Sequence, residues 1–247
     1  MERNSVIMPQ RFILYKLMFR QMKAHQVIHL VFVPEDKKNE LAPSLAGQFV
    51  MIHVLDETGV EVRAKPYSLY NHNADGAIAI GFKIEGEFTQ RLSALRPGDR
   101  IGVSGPFGIF TLEKIHHAAL IMLAGGIGIV PLLSMIQSAA LNHLQNPITL
   151  FYCNHVARDI AYYDELELLK TQHAQIAMHF LVSAPSRAPQ KDVSQGRISW
   201  EFMKERVPLK EDALYYICGS ERFMEHTLGF LLKNGVSKKS IKKEVFT

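Results

Sequence analysis

Residues 118–131 read Ala-Ala-Leu-Ile-Met-Leu-Ala-Gly-Gly-Ile-Gly-Ile-Val-Pro. The seven apolar residues at the start predict a strand over 118–124 that is buried on both faces. The glycines predict a tight turn, and Pro131 suits the first turn of a helix, where its missing N–H needs no partner. A helix N-terminus reached through glycines offers N–H groups to a phosphate. The stretch therefore predicts either a nucleotide site or close strand–helix packing alone.

Strand and helix patterns alternate from this stretch to the C-terminus. The predicted strands cover 118–124, 148–153, 176–182 and 213–218, and the predicted helices cover 131–144, 162–172, 200–206 and 222–234. Such alternation predicts a Rossmann-like, doubly wound parallel sheet. We therefore assign residues 113–247 to an α/β domain.

Short strands dominate the preceding part of the chain. They are predicted at 11–19, 27–33, 48–55, 60–68, 77–83 and 100–103, with one short helix at 86–95. Turn-forming residues separate them, as in Arg96-Pro97-Gly98-Asp99. Six closely spaced strands predict a small antiparallel, six-stranded β-barrel over residues 1–112.

Composition narrows the class of protein. The chain has 247 residues, of which 47% are hydrophobic and 21% are charged, as in ordinary globular proteins. Its two cysteines make no disulfide framework, so we expect a reducing, cytoplasmic location. Two cysteines also cannot hold an iron–sulfur cluster, and the scattered histidines predict no metal site.

Charge and hydropathy bear on the possible partners. The net charge of +4 is too small to indicate nucleic acid binding. Residues 118–137 are uncharged over the length of a membrane span, but the glycines and Pro131 within them predict a strand and a helix instead. No signal peptide is predicted. The lysine run at 238, 239, 242 and 243 is either a solvated end or a docking face for an acidic electron-carrier protein.

Three short segments follow one another in a fixed order. They are Lys65-Pro66-Tyr67-Ser68, the glycine turn at 125–128 with Pro131, and Cys218-Gly219. Together they resemble the motifs of the ferredoxin–NADP reductase-like superfamily of flavin-dependent NAD(P)H oxidoreductases. The resemblance extends from about residue 11 to residue 246. It implies a flavin on the barrel and NADH or NADPH on the α/β domain.

On the barrel, the resemblance implies that Tyr67 and Ser68 border the isoalloxazine ring, with the Ser68 hydroxyl near its reactive nitrogen. Lys65 stands where relatives carry an arginine that contacts a flavin phosphate, and it keeps the charge without the bidentate fork. Arg63 is a second candidate for that contact. Pro66 completes the motif, for which an edge strand ending at a proline turn is the alternative interpretation.

Gly86-Glu87-Phe88-Thr89 resembles the family's phosphate-binding helix start, which implies flavin contacts from Gly86, Phe88 and Thr89. Lys83 stands where relatives often carry a lysine on the preceding strand. A plain helix cap explains the same four residues equally well. The segment favours FAD, with FMN as the alternative.

On the α/β domain, the resemblance implies that the nucleotide is held by Gly125, Gly126, Gly128 and Pro131 at its pyrophosphate. Cys218 and Gly219 would then lie beside the nicotinamide, and Met224 completes their motif. Core packing is the alternative role for the cysteine.

The chain ends Glu244-Val245-Phe246-Thr247, and many relatives end this module with Glu-x-Phe. The resemblance implies that Glu244 lies near the nicotinamide edge and Phe246 near the flavin face. Ser68, Cys218 and Glu244 are therefore the candidate catalytic residues, with the task of holding two rings in reacting position.

The implied function is transfer of a hydride from NAD(P)H to bound FAD and onward to a separate acceptor. A ferredoxin- or flavodoxin-type protein, a ferric chelate and an oxygenase partner are all open, since the chain stops where some relatives continue into an iron–sulfur domain. The alternatives are a flavin-binding electron-transfer subunit of a larger complex without NAD(P)H reductase activity, and a nucleotide sensor without flavin. Ser183-Ala184 lacks the arginine that meets the 2′-phosphate in NADPH-using relatives, so NADH is expected unless Arg158 or Arg187 compensates.

Overall fold

The N-terminal strands close into a barrel. The computed structural model describes residues 12–72, 75–112, 119–184, 192–210 and 212–246. The six barrel strands pair antiparallel in the order β1-β2-β5-β4-β3-β6, and the helix α1 links β5 to β6. Their bounds are β1 Ile13–Ala24, β2 Val27–Pro34, β3 Phe49–Leu55, β4 Glu61–His72, β5 Ile78–Lys83, α1 Gly86–Ala94 and β6 Arg100–Phe107. The predicted six-stranded antiparallel barrel is confirmed.

Side-chain alternation gives the barrel wall an inner and an outer face. Ile52 on β3 and its register partner Val103 on β6 lie in the apolar barrel core. The next residue along each strand faces outward, which places His53 and Ser104 on the outer wall. One slipped register would exchange the two faces, so the apolar core fixes which polar side chains reach the outside.

The second half of the chain forms one parallel sheet with the strand order β10-β9-β8-β7-β11-β12. Its bounds are β7 Leu120–Gly125, α2 Ile129–Leu141, β8 Ile148–Asn154, α3 Tyr163–Gln172, β9 Ile176–Val182, β10 Val193–Gln195, α4 Trp200–Lys204, β11 Leu214–Ser220, α5 Glu221–Lys233 and β12 Ile241–Phe246. One apolar cluster joins α2 and α3 to the sheet, and another joins α4 and α5 to it. Helices thus cover both faces, which confirms the doubly wound prediction.

Some elements differ from the sequence-based predictions. The helix α2 begins at Ile129 after a 3₁₀ turn over Gly126–Gly128, so Pro131 is its third residue rather than its first. The short strand β10 and the edge strand β12 were not predicted. The charged residues at 242–244 hide the strand pattern of β12, and charges on an edge strand are common because they discourage pairing with other chains. The predicted domain boundary stays a prediction, since residues 113–118 lie outside the described ones.

A buried aromatic contact joins the barrel to the α/β half. The Tyr162 ring stacks on Tyr70 of β4 at 5.1 Å, and its hydroxyl lies 3.2 Å from His29 Nδ1 on β2. Gly81 of β5 leaves room for this ring, because an added Cβ would lie 2.0 Å from the Tyr162 hydroxyl oxygen. Burial lowers the pKa of His29 to about 4, so the imidazole is neutral at the interface. The barrel and the sheet are therefore held in one relative position.

Gly81→Ala should destabilise the protein by about 1–3 kcal/mol, because the new methyl group overpacks the contact with Tyr162. The matched control is Gly229→Ala on the exposed side of α5, where an added Cβ meets nothing within 4 Å. That control should raise the stability by up to about 1 kcal/mol through helix propensity. Urea unfolding monitored by circular dichroism measures both changes, and equal stabilities of the two variants would contradict the described interface.

Candidate functional site

A cleft of about 630 Å³ opens at the carboxyl ends of the central parallel strands. It lies where the strand order reverses, since β8 follows on one side of β7 and β11 lies on the other. Ligands of open α/β sheets bind at this kind of switch point. The sheet side of the cleft is lined by Gly125, Gly126, Ile127, Cys153, Asn154, His155, Asp159, Ser183, Gly196, Arg197, Ile198, Ser220, Arg222, Phe223 and His226, and the barrel side by His25, Val27 and Lys83.

The glycine turn is pressed against the last-but-one strand of the sheet. A Cβ on Gly128 would lie 2.3 Å from the Cys218 carbonyl oxygen, so only glycine permits this approach. Gly126 has φ +54°, and an added Cβ there would meet nothing within 4 Å. The structure thus brings the predicted residues Gly126, Gly128 and Cys218 together, with Gly126 in the lining of the cleft and Cys218 fully buried.

Phe223 covers two more of the predicted glycines. A Cβ on Gly125 would lie 2.6 Å from the Phe223 ring, and one on Gly219 would lie 2.8 Å from it. The ring also lines the cleft. Phe223 therefore forms part of the wall on which a ligand of the glycine turn would rest. It was missed from the sequence because nothing local marks it; its neighbour Met224 was chosen instead.

Cys218 and Glu244 lie opposite each other in the register of β11 and β12. Burial and the neighbouring Glu244 carboxylate raise the pKa of the Cys218 thiol well above its usual value, so the thiol stays protonated. Burial also raises the pKa of Glu244 to about 7. The Oε2 atom of Glu244 is buried without a hydrogen-bond partner. Glu244 is not among the residues that line the cleft, so its place at the nicotinamide edge stays a prediction.

The barrel motif forms an aromatic cluster. Tyr67 stacks on Phe88 of α1 at 6.0 Å and meets Phe82 edge-on at 5.4 Å. The Lys65 Nζ atom lies 5.8 Å from the centre of the Phe88 ring. Burial raises the pKa of the Tyr67 hydroxyl, which keeps it neutral. Three of the predicted flavin contacts, Lys65, Tyr67 and Phe88, are therefore neighbours in space.

The remaining barrel candidates have local partners. Ser68 is buried and lies opposite Phe49 in the β3–β4 register. The Thr89 hydroxyl accepts the Glu85 N–H at 2.7 Å and donates to the Glu85 carbonyl at 2.6 Å. Lys83 forms an ion pair with Glu85 and lines the cleft. A flavin phosphate contact from Thr89 or Lys83 stays a prediction.

Three other predicted residues lie away from the cleft lining or at its margin. Pro131 is buried within α2, and Met224 is buried in the apolar cluster that joins α5 to the sheet. Phe246, opposite Ser220 in the sheet register, is half-buried against the cluster around α2. Pro131 and Met224 therefore act on the described fold through packing, and their nucleotide contacts stay predictions.

Several cleft residues were missed by sequence reasoning. Asn154 is the last residue of β8, His155 follows it, and Arg222 lies in the first turn of α5. The signal that could have found them is position, because the carboxyl ends of parallel strands meet at one edge of the sheet. Arg197 lines the same cleft, whereas Arg187 lies outside the described residues.

The comparisons with known proteins agree with this geometry. Residues 15–112 match the family model described as "Oxidoreductase FAD-binding domain", and residues 122–228 match the one described as "Oxidoreductase NAD-binding domain". The chain is an oxidoreductase built from these two domains, and its fold is ferredoxin–NADP reductase-like. It accordingly has a FAD-binding part followed by a NAD-binding part, as the sequence motifs predicted.

The curated proteins that this chain resembles include a flavohemoprotein and a cytochrome b5 reductase-like protein. The chain is 27% identical over 234 residues to the flavohemoprotein of Bacillus subtilis (strain 168), covering 92% of this chain and 57% of that one. It is 30% identical over 170 residues to an Arabidopsis thaliana protein named "NADH-cytochrome b5 reductase-like protein", covering 67% of this chain and 51% of that one. The chain thus spans little more than half the length of these curated relatives.

A solved structure supports the fold. The flavohem-like FAD/NAD binding domain of nitric oxide dioxygenase from Vibrio cholerae O1 biovar El Tor superposes with a TM-score of 0.85 at 22% identity. The match covers 96% of this chain and 99% of that one. Within the described residues, no helix is both long enough and apolar enough to cross a membrane.

The residues of the cleft fit a dinucleotide. Gly126 and Gly128 place no side chains on the 3₁₀ turn that precedes α2, and an added Cβ on Gly126 would meet nothing within 4 Å. Arg197 and Arg222 supply positive charge to the lining. Backbone N–H groups and arginines together suit the phosphates of an anionic ligand.

Gly126→Ala should weaken nucleotide binding while the protein still folds. Its Cβ has free space, and the φ-positive backbone costs an alanine only about 1 kcal/mol. Gly128→Ala is the contrasting variant, because its Cβ collides with the Cys218 carbonyl and should lower the stability of the fold itself. Isothermal titration with NAD⁺ and thermal unfolding of both variants test whether the nucleotide binds at the glycine turn. Equal NAD⁺ affinities of wild type and Gly126→Ala would refute that placement.

Glu244→Gln should change how stability depends on pH. The pKa of Glu244 is raised from 4.5 to about 7, so the fold holds the protonated form more tightly than the unfolded chain does. The contribution of protonated Glu244 to the free energy of unfolding is fully present below pH 4.5, and it is lost as the pH rises through about 7. The glutamine variant lacks this loss, which amounts to at most about 3 kcal/mol.

The measurement is urea unfolding at several pH values between 4 and 8, with Glu225→Gln on the exposed side of α5 as the control. The stability difference between Glu244→Gln and wild type should grow in favour of the variant as pH rises to about 7 and then level off. A difference that does not change with pH would show that Glu244 is not held in the described environment.

Proposed function

We propose that this chain transfers a hydride from a nicotinamide nucleotide to FAD and delivers the electrons to an acceptor outside the described fold. One observation carries the proposal. The glycine turn, which is packed against β11 at Cys218, lines a cleft whose other wall belongs to the FAD-binding barrel. Nucleotide and flavin sites would therefore meet where the two halves join.

The cofactors supply the redox chemistry when bound, since the nicotinamide ring gives a hydride and the flavin ring accepts it. The protein supplies position. The N–H groups at the start of α2 would meet a pyrophosphate, and Cys218, whose buried thiol stays protonated, packs behind the glycine turn. Glu244, with a pKa of about 7, holds a proton in part of the molecules at neutral pH and can donate or accept a hydrogen bond. Two rings held in contact need no general base.

On the barrel, Tyr67 would form a neutral wall for the flavin ring and Ser68 would hydrogen-bond to it. Both residues lie on β4, and the aromatic contact between Tyr67 and Phe88 ties the motif to α1. The N–H groups in the first turn of α1 would meet a flavin phosphate, with Lys65 nearby as a positive charge. The match of residues 15–112 to a FAD-binding domain supports FAD over FMN.

The nucleotide is proposed to be NADH. Ser183 lines the cleft, and Ala184 follows it without the arginine of NADPH-using relatives. Arg158 is not among the lining residues, but Arg197 and Arg222 are. These two arginines are the groups that would have to hold a 2′-phosphate if NADPH were used.

The acceptor is proposed to be an acidic electron-carrier protein or a haem protein. The relatives named above are a flavohemoprotein and a cytochrome b5 reductase-like protein. Lys238, Lys239 and Lys243 are exposed around the edge strand β12, which also carries Glu244 and Phe246. Positive charge at this edge would speed the encounter with an acidic partner.

Anaerobic titration of the FAD-loaded protein with NADH, and separately with NADPH, tests the function. The flavin absorbance should be lost on adding about one equivalent of NADH, and NADPH should act more slowly. A flavin spectrum unchanged by either nucleotide would instead support the electron-transfer subunit without reductase activity. A protein that takes up no flavin would instead support the alternative of a nucleotide sensor without flavin.

Ser68→Ala should slow flavin reduction by roughly tenfold, the effect of losing about one hydrogen bond to the reacting ring. The flavin content should be almost unchanged, because Tyr67 and the α1 contacts remain. Ser93→Ala, whose hydroxyl bonds only locally to the Gln90 carbonyl, is the control. Stopped-flow reduction by NADH measures the rates, and identical rates for the two variants would remove Ser68 from the flavin site.

A further inference from the structure

His53 joins two polar side chains on the outer wall of the barrel. Its Nδ1 atom lies 2.7 Å from the Glu61 carboxylate, and its Nε2 atom lies 2.8 Å from the Ser104 hydroxyl oxygen. The three residues come from the adjacent strands β3, β4 and β6, and 51 residues of sequence separate the histidine from the serine. The strand pairing of the barrel therefore assembles a group that the linear sequence does not display.

The hydrogen-bond chemistry gives each member a direction. An ionised carboxylate can only accept, so we assign the imidazole proton to Nδ1, which donates it to Glu61. Nε2 is then left with a lone pair that accepts the Ser104 O–H. A serine that donates to a histidine, whose other nitrogen is held by a carboxylate, is the arrangement of an activated nucleophile.

The surroundings protect the base and leave the nucleophile reachable. The Phe12 ring lies 5.0 Å from the His53 ring and covers it, and the His53 side chain is 9% exposed. Gly102 makes room for Phe12, since an added Cβ would lie 2.4 Å from that ring. Ser104 is half-buried, and the Glu61 side chain remains 39% exposed. The imidazole is thus fixed in place beside a serine that is only partly buried.

The backbone beside Ser104 leaves the regular strand pairing. Met51 pairs with Ser104, but Phe49 pairs with Phe107, so β6 carries an extra residue between these two pairs. Such a bulge takes backbone groups out of the ladder. The N–H of Gly105, which follows the serine directly and has φ +133°, is the nearest donor in sequence for a developing oxyanion.

This group is separate from the reductase cleft, whose lining contains none of its members. Ser68 lies opposite Phe49 on β3, and His53 is four residues further along the same strand. At about 3.3 Å per residue, this puts the group about 13 Å from Ser68 along the wall. Substitutions here should therefore leave the reaction of flavin with nucleotide unaffected.

We propose that Ser104, His53 and Glu61 form a second active site that hydrolyses small carboxylic esters. The Ser104 oxygen bonds to the ester carbonyl carbon while His53 Nε2 takes the hydroxyl proton. The ester C–O bond then breaks, and the leaving alcohol takes that proton from His53. Water attacks the acyl-serine in the same way, releasing the carboxylic acid and restoring Ser104. Glu61 is a positioning residue that holds the imidazole in its tautomer.

Two probes of the FAD-loaded protein test the proposal. A fluorophosphonate should label Ser104, as located by peptide mass spectrometry. Hydrolysis of p-nitrophenyl acetate by wild type should exceed that by Ser104→Ala roughly 100-fold, the usual contribution of an acid–base pair. Ser93→Ala should hydrolyse as wild type does. Flavin absorbance and NADH-dependent flavin reduction of Ser104→Ala should match wild type, which shows that the barrel is intact.

Glu61→Gln separates positioning from a purely structural hydrogen bond. It should lower kcat for p-nitrophenyl acetate and leave KM unchanged, and Glu61→Asp should recover part of kcat. Equal hydrolysis by wild type and Ser104→Ala would overturn the proposal. So would labelling at another serine, or no labelling of Ser104 under conditions in which a known serine hydrolase is fully labelled.

Discussion

The approach of Gly128 to the Cys218 carbonyl is the constraint on which the α/β half depends. A side chain at residue 128 would have to occupy the place of the β11 backbone, 2.3 Å away. Because the approach is allowed, the turn after β7 and the end of β11 share one edge, and Glu244 joins them through the register of β12. The glycine therefore acts through packing, since it brings three distant segments to the same point. The proposed nucleotide site depends on that packing.

A second close approach fixes the other wall of the cleft. Gly81 admits the Tyr162 ring against β5, and the ring is then held by stacking on Tyr70 and by His29. Loops that carry binding residues need a rigid scaffold that holds them in position. With the interface fixed, barrel residues such as Lys83 face the sheet residues across the cleft. Gly81 and Gly128 thus permit the two close contacts that bring the barrel, the glycine turn and β11 together.

Most of the fold could be predicted from hydrophobic period and turn residues, but contacts between distant residues could not. The buried run at 120–124 predicts its strand by itself, whereas β12 carries lysines and glutamate and gives no such signal. Motif resemblance singles out Cys218 and Glu244 from the sequence. Their position opposite each other follows only from the register of β11 and β12. Phe223 has no local signature, because its role comes from the glycines beneath it. The His53 group likewise depends on the pairing of three strands.

The most direct measurement is X-ray diffraction from crystals of the protein grown with FAD and NAD⁺. We expect electron density for a pyrophosphate at the N–H groups of residues 126–129, with the nicotinamide beside Cys218 and Glu244. We also expect density for the flavin ring against Tyr67 and Ser68. Density for the dinucleotide elsewhere on the sheet, with the cleft between the barrel and the glycine turn empty, would contradict the central claim.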